Sequence, residues 1–167
     1  MKKIKLFSVV LVAFIGFLLT SCEKSDNTSE TALDKISETT LDKNLLKSAK
    51  KYTELVEERK TGPRGFVIED IKRNANILTI KVKGGCKEED FHIVWDGLIF
   101  FSYPGQINLV LYNDALGECE MENKFNITVN LSKIVENQNP KDFIFNVANG
   151  SVKQDMSLNI KGSISNK

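Results

Sequence analysis

The run Leu78-Thr79-Ile80-Lys81-Val82-Lys83 decides the fold. Apolar and polar residues alternate along it, which puts Leu78, Ile80 and Val82 on one face of an extended strand. The same period returns downstream. Ile107, Leu109 and Leu111 alternate with Asn108 and Val110, and Phe125, Ile127, Val129 and Leu131 with Asn126, Thr128 and Asn130. Phe143, Phe145 and Val147 alternate with Ile144 and Asn146, and Met156, Leu158 and Ile160 with Ser157, Asn159 and Lys161. Each run predicts a strand with one buried face. Residues 66–71, 91–95 and 98–102 are apolar on both faces, which predicts central or covered strands.

The punctuation between these runs agrees. Asp96-Gly97 and Asn149-Gly150 match two-residue hairpin turns of the kind that need positive φ. Asn74-Ala75-Asn76 is a looser turn, and Pro104-Gly105 ends the strand after Tyr103. About eight short strands spaced in this way predict an all-β domain over 64–165. The expected form is an antiparallel immunoglobulin-like β-sandwich, with a barrel as the second choice.

Ahead of the domain the period changes. Leu41, Leu45, Ala49, Tyr52 and Val56 recur at spacings of three and four, and Leu46 and Leu55 widen the stripe. This predicts an amphipathic helix over 41–60, capped by Thr39 or Thr40 and stopped by Thr61-Gly62-Pro63. The stripe is too short for the three or more heptads a coiled coil needs, so it is expected to pack on the domain. Residues 22–40 are rich in Ser, Thr, Asp and Glu, a composition that cannot offset its ordering entropy; a flexible tether is expected there.

The N-terminus addresses location. Lys2, Lys3 and Lys5 precede an apolar run from Leu6 to Leu19, interrupted only by Ser8 and Gly16. At about 14 residues the run has the length of a signal-peptide apolar core and falls short of the ~20 a spanning helix needs. Its ending, Leu19-Thr20-Ser21-Cys22, resembles the bacterial lipoprotein box. The resemblance implies that 1–21 is a lipoprotein signal peptide and that Cys22 becomes the first mature residue. Cys22 would then carry diacylglycerol and an amide-linked fatty acid such as palmitate. Two acyl chains suffice for stable membrane anchoring. The implied location is the cell envelope, lipid-anchored, at the outer membrane. With Cys22 so committed, Cys86 and Cys119 remain as an even pair in an exported chain, for which one disulfide is the default. It would close a loop of about 34 residues, worth roughly 3–4 kcal/mol.

Composition excludes some partners. The chain of 167 residues has 23 basic and 22 acidic side chains. Three of the lysines lie in the leader, so the remainder is near neutral and shows no basic block. Nothing in it predicts nucleic-acid binding. The acids Glu88, Glu89 and Asp90, with Asp114 and Glu118, could supply oxygen ligands for calcium. They lack ligand spacing and read as a solvated rim, so neither metal nor cofactor is expected. His92 has no partner in the sequence that makes it a triad member. Among the aromatics, Trp95 shares a face with Phe91 and Ile93 and reads as core. Tyr103 beside Pro104-Gly105 is the best exposed candidate for ligand contact, with Gln106 next to it.

Three motifs together, Gly84-Gly85-Cys86…Phe91, Ser102-Tyr103-Pro104-Gly105-Gln106 and Leu111…Cys119, are similar to a group of small lipoproteins of Bacteroidota-type bacteria. The similarity covers about residues 65–131. It implies a β-sandwich and supports the disulfide, but implies no activity. The pattern departs at Glu89, where relatives often carry His, which weakens any metal site carried over. The functional expectation is a membrane-anchored, non-enzymatic interaction module that binds a protein, peptide or glycan. The alternative is an envelope inhibitor or immunity protein that blocks a hydrolase through a loop such as 103–106.

Overall fold

The computed structural model describes residues 39–59, 65–115 and 122–166. In chain order the first elements are β1 (Thr39–Asp42), β2 (Leu45–Lys47), helix α1 (Ala49–Glu58), β3 (Val67–Asn74) and β4 (Ile77–Lys83). There follow β5 (Phe91–Phe100), β6 (Gly105–Asn113), β7 (Lys124–Asn130) and the short helix α2 (Ser132–Val135). The chain ends in β8 (Phe143–Asn149), β9 (Asp155–Leu158) and β10 (Ile164–Asn166). These strands form two sheets, one of order β1-β2-β5-β6-β8-β9-β10 and one of order β3-β4-β7.

The alternating residues do what their period dictates. Leu78, Ile80 and Val82 of β4 and Ile127 and Val129 of β7 are buried, and they share one core with Ile93, Ile107, Leu109, Leu111, Phe145 and Val147 of the larger sheet. Phe66 and Phe91 meet edge to face across this core, ring centroids 5.0 Å apart. Each such side chain contributes about 1.5–3 kcal/mol on leaving water. The inner faces of the two sheets thus make one hydrophobic layer, as in a sandwich. The larger sheet does not close into a barrel: β1 and β10 each pair with a single neighbour.

The pairing is mixed, where a wholly antiparallel arrangement was expected. β2 runs parallel to β5, and β6 parallel to β8. After β6 the chain crosses to the smaller sheet as β7 and returns through α2, so it re-enters the larger sheet in its original direction. A division into seven and three strands also departs from the four-and-three antiparallel order of an immunoglobulin-like sandwich. The edge strand β3 is tied to the larger sheet by side-chain amides. Gln154 accepts from the Ile68 N–H (2.8 Å) and donates to the Ile68 carbonyl (2.9 Å), standing in for a strand partner. The buried Asn149 donates to the Phe66 carbonyl (2.8 Å).

Several local expectations are corrected. The helix expected over 41–60 covers only Ala49–Glu58, with Ser48 as its cap, accepting from the Lys51 N–H at 3.2 Å. Thr39 and Thr40, expected in the tether, belong to β1. The helical spacing of Leu41 and Leu45 loses to pairing: β2 lies against Ile93, Val94 and Trp95 and buries Leu45 in the main core. The domain therefore begins by Thr39, ahead of residue 64. The rest of the expected tether and the signal peptide lie outside the described residues.

Asp96-Gly97 is a bulge inside β5, not a hairpin turn. The register jumps between Trp95 and Ile99, and Gly97 supplies φ +85°. The hairpin is closed instead by residues 101–104. Asn149-Gly150 opens the longer loop 150–154, in which Asn149 accepts from the Ser151 N–H at 2.9 Å. Residues 98–102, expected to be covered, are not: Leu98, Phe100 and Phe101 are exposed. β9 stops at Leu158, leaving Ile160 on an exposed turn.

Candidate functional site

The outer face of the larger sheet divides into two zones. Val94, Val110 and Ala148, on neighbouring strands, are covered by α1 through Leu55, with Tyr52 and Val56 beside them. One row further along the strands the outward residues turn polar: Asp96, Asn108, Asn146 and Ser157. The register sets Asn146 opposite both Asn108 and Ser157. They form a directed chain of hydrogen bonds. Ser157 Oγ donates to Asn146 Oδ1 (2.7 Å), Asn146 Nδ2 to Asn108 Oδ1 (3.0 Å) and Asn108 Nδ2 to Asp96 Oδ2 (3.3 Å). The Leu98 N–H donates to the other Asp96 oxygen at 2.9 Å. The carboxylate ends the row as an acceptor only.

Above the Ser157–Asn146–Asn108 part of this row lies a cleft of about 170 Å³, bounded also by Tyr52, Arg59 and Asp155 among others. Its volume is below the ~300 Å³ at which pockets for whole small molecules begin, so it suits a single ring or side chain. Arg59 closes one edge through a two-pronged ion pair with Asp155. Burial raises the Asp96 carboxyl above its ordinary range, the Leu98 and Asn108 hydrogen bonds opposing the shift. Burial also raises the Tyr52 phenol, helped by the negative charge of Asp96. The phenol stays neutral at physiological pH and can both donate and accept.

Gln106 joins this face. Its Oε1 accepts from Asn146 Nδ2 at 3.4 Å, and its Nε2 makes no hydrogen bond among the described residues. Tyr103 does not join; it stands out from the β5–β6 turn, 98 % exposed. Trp95 faces inward and is buried, with Nε1 donating to the Leu98 carbonyl at 3.0 Å. Sequence reasoning missed Asp96, Asn108, Asn146 and Ser157 as a set. The signal was a polar residue at the outward position of four separate strands, which means something only once strand order and register are known.

His92 does acquire a partner, Asp114, at 3.0 Å, and its ring lies 5.4 Å from that of Tyr112. No hydroxyl or thiol is hydrogen-bonded to His92 among the described residues. Glu88, Glu89 and Asp90 form a short 3-10 turn before β5. Among the described residues no group of three or more His, Cys, Asp or Glu is placed to hold a metal. Cys86 is exposed on the turn after β4 and is not a free thiol. Cys22 and Cys119, like Glu118, lie outside the described residues. Among the described residues no helix is long and apolar enough to cross a membrane. No family model, curated protein or solved structure matches this chain.

Proposed function

We propose that this protein is a cell-envelope lipoprotein, anchored through Cys22, that binds a hydroxyl-rich glycan on the outer face of its larger sheet and performs no catalysis. The observation that carries the ligand class is the row Ser157–Asn146–Asn108–Asp96, buried at its two ends and half-buried at Asn146 and Asn108, of which Ser157, Asn146 and Asn108 line the cleft. Amide side chains carry donors and acceptors in one plane, matching the mixed donor and acceptor character of sugar hydroxyls. Tyr52 adds a ring face with a polar tip, and Gln106 adds the donors of its Nε2. The ending Leu19-Thr20-Ser21-Cys22 supports the anchor. Titration of the mature chain with a panel of neutral oligosaccharides, followed by calorimetry, tests the reading. Asn146→Leu should weaken binding by about tenfold, the loss expected when bound hydroxyls lose a polar partner. Undiminished binding by that variant, or no binding to any oligosaccharide, would overturn it.

A second reading, an inhibitor of an envelope hydrolase, is favoured by the protruding 101–104 turn with Tyr103 at its tip. Loss of inhibition of glycosidases or proteases in a Tyr103→Ala variant would establish it.

A further inference from the structure

The four most exposed large apolar side chains among the described residues fall within one short stretch: Leu98 (49 %), Phe100 (48 %), Phe101 (83 %) and Tyr103 (98 %). They crown the β5–β6 hairpin, and the hairpin holds them out by its own bonds. Trp95 Nε1 donates to the Leu98 carbonyl (3.0 Å), the Ser102 N–H to the Phe100 carbonyl (2.9 Å) and Ser102 Oγ to the Pro104 carbonyl (2.6 Å). A display fixed in advance loses little entropy when it is covered.

The topology says what covers it. β2 runs parallel to β5 with Lys47 opposite Trp95, and β1 runs back along β2 so that Thr39 lies opposite Lys47. The chain therefore enters the sandwich from the pole toward which β5 carries the hairpin tip. Residues 23–38 separate Cys22 from Thr39, which is at most about 60 Å of chain in any conformation. The same pole carries cations. β8 opens at Phe143 opposite Gly105, so the exposed Lys141 just before it lies there, beside Asp142 and with the exposed Glu136 earlier on the same connection. The exposed Lys161, in the turn from β9 to β10, lies there too, because Leu158 is paired with Phe145.

We propose that the hairpin tip is a membrane-contacting element: Phe101 and Tyr103 enter the headgroup region of the bilayer that holds the anchor, with Lys141 and Lys161 facing its phosphates. This rests on the anchored reading of Cys22. Phe and Tyr rings favour the membrane interface, and lysines beside them favour anionic lipid. The tip alone would hold a bilayer weakly. On an anchored chain the local lipid concentration is high enough to populate a weak contact.

The test uses the full lipidated chain in vesicles of phosphatidylcholine and phosphatidylglycerol containing bromine-labelled lipid. Two reporter variants are compared, Phe101→Trp at the tip and Lys153→Trp on the exposed loop between β8 and β9, against the constant signal of the buried Trp95. The expected result is that bromolipid quenches the Phe101→Trp reporter about twofold more than the Lys153→Trp reporter, as for a ring at the interface. Adding Tyr103→Glu should abolish that difference while the chain still floats with the vesicles. Flotation with neither reporter quenched overturns the tip contact and leaves the anchor standing. Chains that fail to float overturn both. Shielding of the Phe101→Trp reporter by a hydrolase or an oligosaccharide, with no quenching by lipid, assigns the tip to that occupant and overturns the proposal.

Discussion

At the scale of single residues, Asp96 has the least comfortable position in the domain. It is 7 % exposed and receives hydrogen bonds from Leu98 and Asn108, yet no cation bonds to it among the described residues. Burial raises its carboxyl above the ordinary range, so the folded chain holds that proton more tightly than the unfolded chain does. Between the ordinary value and the raised one, the folded state carries more protons. The contribution of Asp96 to stability is therefore greatest in acid and is lost as pH rises through the raised value. Asp96→Asn should flatten this part of the profile, so melting curves from about pH 4 to 7 should converge with the native protein toward neutrality or cross it. Parallel profiles for the two proteins would remove Asp96 as the titrating group. Gln154 makes a different prediction. It is the only partner of the Ile68 N–H among the described hydrogen bonds, and Ile68 itself is 1 % exposed. Gln154→Ala should cost about 1–3 kcal/mol in denaturant unfolding, the penalty for an orphaned buried donor. A loss well below that range would mean that water reaches β3 along its edge.

Among the elements, the β1–β2 hairpin separates what the sequence states locally from what only the fold decides. The strands β4 and β7 were legible because each has one wet face, so their period is written in the residues. Residues 39–47 carry a helical spacing that was equally legible and misled. Leu45 is spaced to continue the stripe of α1, but three residues of β2 pair in parallel with β5, and that pairing takes Leu45 into the main core. No local pattern reports a partner 48 positions away, the distance from Leu45 to Ile93. The bulge at Asp96-Gly97 escaped for a related reason: a dipeptide that permits positive φ serves a turn or a bulge equally, and the Trp95 and Asp96 contacts to Leu98 make the choice. Leu45→Ala should therefore destabilise the whole domain by about 2–5 kcal/mol, as for a filled core position. A change under about 1 kcal/mol, the cost of a typical surface substitution or less, would show that β1 and β2 only rest on the sandwich.

For the whole molecule, the cysteines bear on how one end of the smaller sheet is closed. β4 and β7 are paired along their full length, with Lys83 opposite Lys124. Beyond that pair the two chains stay clasped: the Gly84 N–H donates to the Asn123 carbonyl (2.8 Å) and Asn123 Nδ2 to the Gly85 carbonyl (3.0 Å). Cys86 follows directly, and Cys119 lies four positions before Asn123, within a span of about 14 Å of chain. Cys86 is thus held near Asn123, four positions along the chain from Cys119, and bridging requires Cα atoms within about 7 Å. Cys22, the only competitor in the sequence, is removed if it carries lipid. A Cys86–Cys119 bond should leave no reactive thiol in the mature, non-reduced, acylated protein. Its reduction should cost roughly 2–4 kcal/mol, because the unfolded chain regains the entropy of an open loop. Peptide mapping without reduction separates the alternatives. A linked 86–119 peptide supports the clasp, whereas a linked 22–86 peptide would cancel both the bridge and the lipid anchor, and with them the membrane contact of the hairpin tip.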